Sequence, residues 1–477
     1  MKRRGLPLPH QQTQVDVYER FQKRYWADPA GFVANCINWP SGQSPAPYQL
    51  EVLQMLVDHR RVSVRGPHGL GKTTVAAMSI LWFALTRDGR DWKIATTASA
   101  WVQLASYLWP EVFKWMRRLK WTSIGRAPFN HREALQRGLK LDTGLALSLA
   151  PADCNRMEGA HAAHLLYIFD EAKIIPPATW DATEGAFSTG DAMGLAISTP
   201  GEPSGRFYDI HARRPGYEDW QVIHVTKDDA ISAGMMNPEW AEQRKLQWGE
   251  GSAVYQNRVE GEFAAQSADG VIPLAWVELA NQRWLQLQAD RKLEAEDQEM
   301  VGVDVGRTGD KTVIARRFGK HVIVDLRRFG NLSTMQTVAQ VQAALTHGGK
   351  ATVDVIGIGA GVFDRLRELG LDVAPFGAGE RTSKRDRSGE WGFENKRAAS
   401  WWNLRELLDP ELGEPIALPP DDMLTGDLVA VRWREKSGNV IGLESKDAIK
   451  ARLQRSPDDG DAVVMAFWKD YRGIPFG

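Results

Sequence analysis

Cysteine is nearly absent from this 477-residue chain: there are two, Cys36 and Cys154, and no C-x-x-C spacing. That excludes a disulfide scaffold and a cysteine-based zinc module, and it suits a reducing compartment. An excess of charge of one sign is also lacking. Lys and Arg total 59, Asp and Glu 60, for a formal net charge of −1. Coating of nucleic acid by bulk charge is thereby excluded, so any nucleic-acid contact must come from local basic stretches. Long apolar runs are missing too. The longest uncharged one, TTVAAMSILWFAL at residues 73–85, falls short of the ~20 residues a spanning helix needs. MKRRGLPLPHQQTQ at the N-terminus has basic residues but no apolar segment of the secretory type. A cytoplasmic setting is the expectation. There is no internal repeat and no long low-complexity tract.

What is present is ordinary globular chemistry, with 43% hydrophobic and 25% charged residues. At ~150 residues per domain the length allows about three domains, and two large ones fit equally well. Either half is long enough to bury a core. The abundant tryptophans read as core and interface anchors.

The texture changes between Phe263 and Met300. AAQSADGVIP is small and polar with a glycine turn, and QADRKLEAEDQEM reads as a solvated helix or linker. The expected division is 1–264, with 1–45 as an N-terminal extension, a linker at 265–297, and a second domain at 298–477. Residues 60–200 alternate short apolar runs with helical segments, the pattern of a parallel sheet with crossover helices. Residues 300–330 instead read as three strands joined by short turns: VGVDVG, KTVIARRFG and KHVIVDLRRFG. A helix, a strand (TVDVIGIG) and another helix follow, for a β-β-β-α-β-α order.

VSVRGPHGLGKTTVAAMSILWF starts β-branched and ends helical, and between them Gly66, Gly71, Lys72 and Thr73 fit G-x-x-x-x-G-K-[ST]. Glycines let backbone N–H groups curl around phosphate oxygens, and the helix N-terminus adds its positive dipole end. Lys72 would neutralise the outer phosphates, and the Thr73 hydroxyl would ligate Mg²⁺. A plain glycine turn is the alternative. A second metal anchor should end another strand, and HLLYIFDEAK provides Asp170 and Glu171. Asp170 would hold Mg²⁺ through water, and Glu171 would orient or deprotonate the attacking water. The competing reading makes Asp170 a helix cap. His161 and His164 read as ordinary strand-leading residues. GLAISTPGEPSGRFYD ends a strand at Ser198 and Thr199, suited to sensing a γ-phosphate, and PAPYQLEVLQML places Tyr48 and Gln49 before the loop. A glutamine amide can pair with an adenine edge.

Asp304 in VGVDVGRTGDKT and Asp354 in ATVDVIGIGAG interrupt apolar strands, where aspartate is unfavourable by propensity. In a β-β-β-α-β sheet the first and fourth strands can be neighbours. That would set the two carboxylates side by side, where they repel unless cations intervene. RSPDDGDAVVMAFW then reads as a helix with Ser456 as N-cap and Pro457 as first helical residue. Asp458 and Asp461 share a face three apart, and Asp459 is expected to face solvent or cap. Such a cluster can hold two Mg²⁺ or Mn²⁺ ions ~3.5–4 Å apart for attack of water on a phosphodiester. Helix-start charges without metal are the alternative. SKDAIKARLQR, at residues 445–455, is basic and leads into this site.

From roughly Tyr48 to Trp468 the chain resembles the large terminase subunits of tailed double-stranded DNA bacteriophages. The resemblance rests on the P-loop, YIFDEA and STPG in that order, on VGVDVGRTGDKT, on FENKRAASWW, and on SKDAIKARLQRSPDDGDAV. It implies an α/β protein: an N-terminal P-loop ATPase domain of mostly parallel sheet and a C-terminal ribonuclease-H-like nuclease domain. By position, Gln49 matches the adenine-motif glutamine. Gly66, Gly69, Gly71, Lys72 and Thr73 match Walker A, with Thr74 beside it. Asp170 and Glu171 match Walker B and its catalytic glutamate, and Ser198 and Thr199 the coupling motif. Asp304, Asp354 and Asp461 match the nuclease metal ligands, with Asp458 a fourth. His68 stands where many members carry a Walker A arginine, and Arg126 and Arg156 are candidates for one supplied by a neighbouring subunit.

The function implied is a packaging motor. ATP hydrolysis with Mg²⁺ would thread double-stranded DNA through a portal protein into a procapsid. A metal-dependent endonuclease, using Mg²⁺ or Mn²⁺, would cut the concatemer at the start and end. The implied partners are the portal, the small terminase subunit and further copies in a ring of five. The isolated chain is expected to be a monomer whose DNA binding falls steeply with salt. The implied location is the cytoplasm of the infected bacterium, not the mature virion, and no membrane is involved. A helicase-type or repair ATPase carrying a nuclease is the alternative.

Overall fold

The short apolar runs of the first half are buried on both faces, as strands between crossover helices must be. The computed structural model describes residues 9–98, 104–149, 162–188, 191–265, 269–306, 311–345, 349–453 and 455–468; Cys154, Arg156 and His161 lie outside them. The chain divides into two units, Met1–Ala241 with Gln256–Ala265, and Glu242–Tyr255 with Gln266–Gly477. Among the described residues no helix is long and apolar enough to cross a membrane.

In the first unit the strands are β1 (Arg61–Arg65), β2 (Trp92–Thr97), β3 (Ala134–Leu135), β4 (Gly138–Lys140), β5 (Gly144–Leu149), β6 (His164–Asp170), β7 (Ala192–Ser198) and β8 (Gln221–His224). Their order is β3-β4-β5-β2-β6-β7-β1-β8. The run from β5 to β8 is parallel, whereas β3 pairs antiparallel with β4 and β4 antiparallel with β5. All seven residues of β7 are buried. The parallel register brings Arg65 opposite Ser198 and Asp170 opposite Ile197, so the C-terminal ends of β1, β7 and β6 meet at one edge. In open parallel sheets that edge is where ligands bind.

The helix Lys72–Arg87 is buried continuously from Val75 onward. The N-terminal helices Pro9–Tyr25 and Pro29–Cys36 belong to this unit. The Trp82 indole N–H donates to the Tyr25 carbonyl at 2.7 Å, and the Tyr18 hydroxyl to that of Leu85 at 2.9 Å.

The second unit has β9 (Gln298–Asp304), β10 (Lys311–Phe318), β11 (Val322–Gly330), β12 (Lys350–Asp354) and β13 (Val373–Phe376) in the order β11-β10-β9-β12-β13. The first three are antiparallel, and β12 runs parallel to β9 and β13. First and fourth strands are thus neighbours, the ribonuclease-H-like order. A small second sheet pairs β14 (Gly392–Phe393), β16 (Val440–Leu443) and β15 (Trp433–Lys436).

The stretch 265–297 is not simply a linker. It contains the helix Leu274–Ala289, whose Val277 and Ala280 are fully buried beside Trp401, Leu404 and Leu418. The charged residues that follow concealed this apolar stripe at positions 274, 277 and 280.

The helix Asp458–Ala466, the aspartate helix below, lies directly on β9 and β10. Gly302 permits the approach: a Cβ there would sit 2.0 Å from the Ala462 carbonyl oxygen and 2.5 Å from the Ala466 nitrogen. Backbone cannot give way as a flexible side chain can. Gly302→Ala is therefore expected to destabilise the second unit by ~1–3 kcal/mol, the range typical of overpacking. Thermal unfolding checks this, and an unchanged midpoint would contradict the close approach.

Candidate functional sites

Three strand ends converge around Lys72. Gly69 and Gly71 take left-handed backbone angles (φ 81° and 71°) that glycine adopts without strain. Lys72 Nζ donates to the carbonyls of Gly66 (3.1 Å) and Pro67 (2.6 Å) and to Thr199 Oγ1 (3.2 Å). Burial pulls its amine down to about 8, against the opposing pull of Glu171 and Asp170. Asp170 is buried at the end of β6, and burial, then the Glu171 charge, pushes its carboxyl up to about 7. Glu171 follows with φ 51°. The Ser198 hydroxyl donates to Glu171 Oε2 at 3.2 Å. The sequence-predicted Lys72, Asp170, Glu171, Ser198 and Thr199 are thus one cluster.

Gln49 is buried beneath the loop, its Oε1 accepting the Ala46 N–H at 3.0 Å and its Nε2 lying 3.4 Å from the Gly71 carbonyl. The Tyr48 hydroxyl donates to the Leu70 carbonyl at 2.5 Å. Thr73 is half-buried at the helix start. The Thr74 hydroxyl is instead committed to Glu111 Oε1 at 2.7 Å.

Arg126 is held by Glu133 at 2.6 Å and Asp88 at 3.7 Å, within its own unit. Arg65 directly precedes the loop, and the backbone of Arg258 also meets it. The Arg258 carbonyl accepts the His68 N–H at 2.9 Å. His68 is exposed, and the positive charges of Arg258, Lys72 and Lys173 around it disfavour its protonation. The sequence reading missed Lys173 and Arg258. Lys173 directly follows YIFDEA and could have been suspected from that position. Arg258 lies far away in sequence and carries no motif.

The second cluster gathers on β9, β12 and the aspartate helix. Val303 pairs with Val353, so Asp304 and Asp354 end neighbouring parallel strands. Both are buried, as is Asp461. All three line one small void, and Asp304, Asp354 and Asp458 border a cavity of about 450 Å³ together with Arg397 and Lys446. The carboxylates therefore converge. Among the described residues, however, no group of three or more His, Cys, Asp or Glu side chains is gathered closely enough to hold an ion. A lysine supplies positive charge instead: Lys446 Nζ is 2.7 Å from Asp461 Oδ2 and 3.6 Å from Asp304 Oδ1.

Asp461 Oδ1 also accepts the Trp401 indole N–H at 2.8 Å, and Arg397 is 3.6 Å away. Burial favours the neutral Asp461 acid, but Lys446 and Arg397 prevail and lower its pKa. Asp304 is pushed well above the carboxylate range, by burial first and then, against Lys446, by Asp461, Asp458 and Asp354. Four carboxyl groups here face the Lys446 ammonium and the Arg397 guanidinium, and hard carboxylate oxygens are the donors that Mg²⁺ and Mn²⁺ take.

Two local expectations are corrected. The aspartate helix begins at Asp458, with Pro457 at the N-cap and no capping side chain, so Ser456 does not cap it. Asp459 is buried rather than solvent-facing. Arg328 grips both of its carboxylate oxygens at 2.6–3.0 Å, a pairing whose partners lie 131 residues apart.

Over 247 residues the chain is 27% identical to a probable terminase large subunit of Enterobacteria phage P7, a match covering 48% of each protein. The chain is similar to the large terminase subunits. The matched region spans about half the length of that curated relative. No family model matches. Among solved structures, the large terminase of a thermophilic bacteriophage in complex with ADP aligns with TM-score 0.41 and 15% identity, over 88% of this chain and 98% of its own. A single-substitution mutant of the nuclease domain of the large terminase subunit gp2 of bacterial virus Sf6, with manganese, aligns with TM-score 0.36 and 20% identity, over 42% of this chain and 99% of its own. The terminase resemblance therefore stands on a sequence relative as well as on the motifs, and Trp401, within FENKRAASWW, acquires a physical role as the hydrogen-bond donor to Asp461.

Proposed function

We propose that this chain is the motor and nuclease of a phage DNA-packaging machine, hydrolysing ATP to move double-stranded DNA and cutting it with a metal-dependent endonuclease. One observation carries the reading: two separate polar centres, each at the C-terminal ends of parallel strands, occur in one chain. One gathers Lys72, Asp170, Glu171 and Thr199; the other gathers Asp304, Asp354 and Asp461.

At the first centre the glycine loop and Lys72 would bind the phosphates of ATP, and Thr73 and Asp170 would hold Mg²⁺. Glu171 would orient the attacking water, kept in place by the Ser198 hydroxyl. Lys72 already contacts Thr199, so loss of the γ-phosphate would be felt at the end of β7. Gln49, bonded beneath the loop, would meet the base. At the second centre Asp304, Asp354, Asp461 and Asp458 would hold Mg²⁺ or Mn²⁺, which activate water and stabilise charge on the phosphate. Trp401 and Arg397 fix Asp461. The partners that follow are the portal, the small terminase subunit and a ring of copies that raises avidity for DNA.

The test uses the purified chain with portal and procapsids. Expected are DNA-dependent ATP hydrolysis, Mn²⁺- or Mg²⁺-dependent cleavage of plasmid DNA, and no unwinding of a forked duplex. Unwinding without packaging would favour a helicase-type enzyme. Sedimentation of the isolated chain should show a monomer.

Lys446 offers a sharper check. If its ammonium stands in for a cation, Lys446→Ala should bind Mn²⁺ more tightly than the parent, and Mn²⁺ should raise its thermal midpoint more. Equal or weaker binding would mean that Lys446 helps to build the site rather than filling its place.

A further inference from the structure

The aspartate helix carries Asp458 and Asp461 in its first turns, yet it has no capping side chain of its own, because Pro457 stands at the N-cap. The first N–H groups of a helix have no intrahelical partner and, when buried, must find one elsewhere. Here the partner is a single carboxylate from another element. Asp427, in the helix Asp422–Ala430, is 1% exposed. Its Oδ2 accepts the N–H of Asp459 at 2.9 Å and that of Gly460 at 3.3 Å. Its Oδ1 is paired with Arg455, the residue before the Ser-Pro turn. Gly460 completes the fit, since a Cβ there would lie 2.7 Å from the Trp401 ring and 3.3 Å from the Asp427 Cβ. The first turn is thus pinned by Asp427 at its N–H groups, by Arg328 at Asp459 and by Trp401 at Asp461. Asp427 is not among the residues that border the 450 Å³ cavity.

We propose that Asp427 is a positioning residue for the cleavage site: it acts as a remote cap that fixes the start of the aspartate helix and thereby the aim of Asp458 and Asp461. The inference rests on the nuclease reading given above. A carboxylate suits the role because two oxygens can serve two N–H donors and Arg455 at once, and charged acceptors make the stronger hydrogen bonds.

The experiment compares the full chain with Asp427→Ala and with the double variant Asp427→Asn/Arg455→Gln. In the double variant the asparagine oxygen still accepts from the helix while its amide N–H₂ donates to the glutamine. Mn²⁺ binding is measured by calorimetry, with thermal midpoints and plasmid cleavage alongside. Supporting groups of this kind typically set metal affinity by ~10–100-fold, so Asp427→Ala should lose about that much and the double variant should stay within about threefold of the parent. A purely structural role would instead make affinity follow the thermal midpoint in both variants.

Should the alanine variant fail to fold, Asp427→Asn alone serves. Its amide opposes either Arg455 or the helix, and adding Arg455→Gln should restore the lost affinity. Parent-like Mn²⁺ binding by Asp427→Ala, or no rescue by the double variant, would overturn the inference while leaving the nuclease reading in place. A parent chain that neither binds Mn²⁺ nor cuts DNA would overturn both.

Discussion

Glu171→Gln is expected to cut ATP turnover ~10²–10⁴-fold, the usual contribution of a positioned general base, while DNA cleavage continues. The change is nearly isosteric. Glutamine can still accept the Ser198 hydroxyl, so the left-handed turn after β6 should persist. What it cannot do is take a proton from water. It also removes a negative charge beside buried Asp170, whose carboxyl is raised partly by that neighbour. Nucleotide binding should accordingly be retained, as a fluorescent ATP analogue would report. Parent-like turnover would remove Glu171 from the chemistry and with it the reading of β6 as the second half of the nucleotide site.

Asp304→Asn should have the opposite signature: cleavage lost by at least ~10²-fold, in line with the loss of a metal-binding group, and ATP turnover unchanged. Asp304 is buried at the end of β9 among Asp354, Asp458 and Asp461, with the Lys446 ammonium beside it. Asparagine keeps the shape and removes an ionisable group whose charged form is disfavoured by burial and by the neighbouring carboxylates. The thermal midpoint in metal-free buffer should therefore stay level or rise, because buried like charges cost stability unless compensated. A folded variant that still cuts DNA would overturn the assignment of this cluster. If Glu171→Gln and Asp304→Asn each abolished both activities in folded protein, two separate centres would be the wrong description.

Much of both centres was legible because their residues break local rules. An aspartate in an apolar strand, as at 304 and 354, is unfavourable where it stands and so demands a partner. A glycine-rich turn between a β-branched strand and a helix, ending in Lys-Thr, is a pattern suited to phosphate binding. The order β-β-β-α-β was readable from the lengths of the turns. The helix at Leu274–Ala289 was not, because its narrow apolar stripe is followed by a dense run of charges. The start of the aspartate helix was misread for a related reason: Ser-Pro is a good local cap and first turn, and nothing nearby reveals that Asp427 does the capping from another helix.

By itself, then, the sequence determined the chemistry available to this chain: which groups suit a phosphate and which carboxylates need a counter-charge. Tertiary structure alone decided how those needs are met. It set the Lys446 ammonium between Asp304 and Asp461, brought Arg258 against the glycine loop, and buried Asp459 on Arg328. The physical reason is range. Propensity and capping act over a few residues and leave a local trace, whereas a buried charge takes whichever partner the packed fold brings within a few ångströms, however distant in the chain.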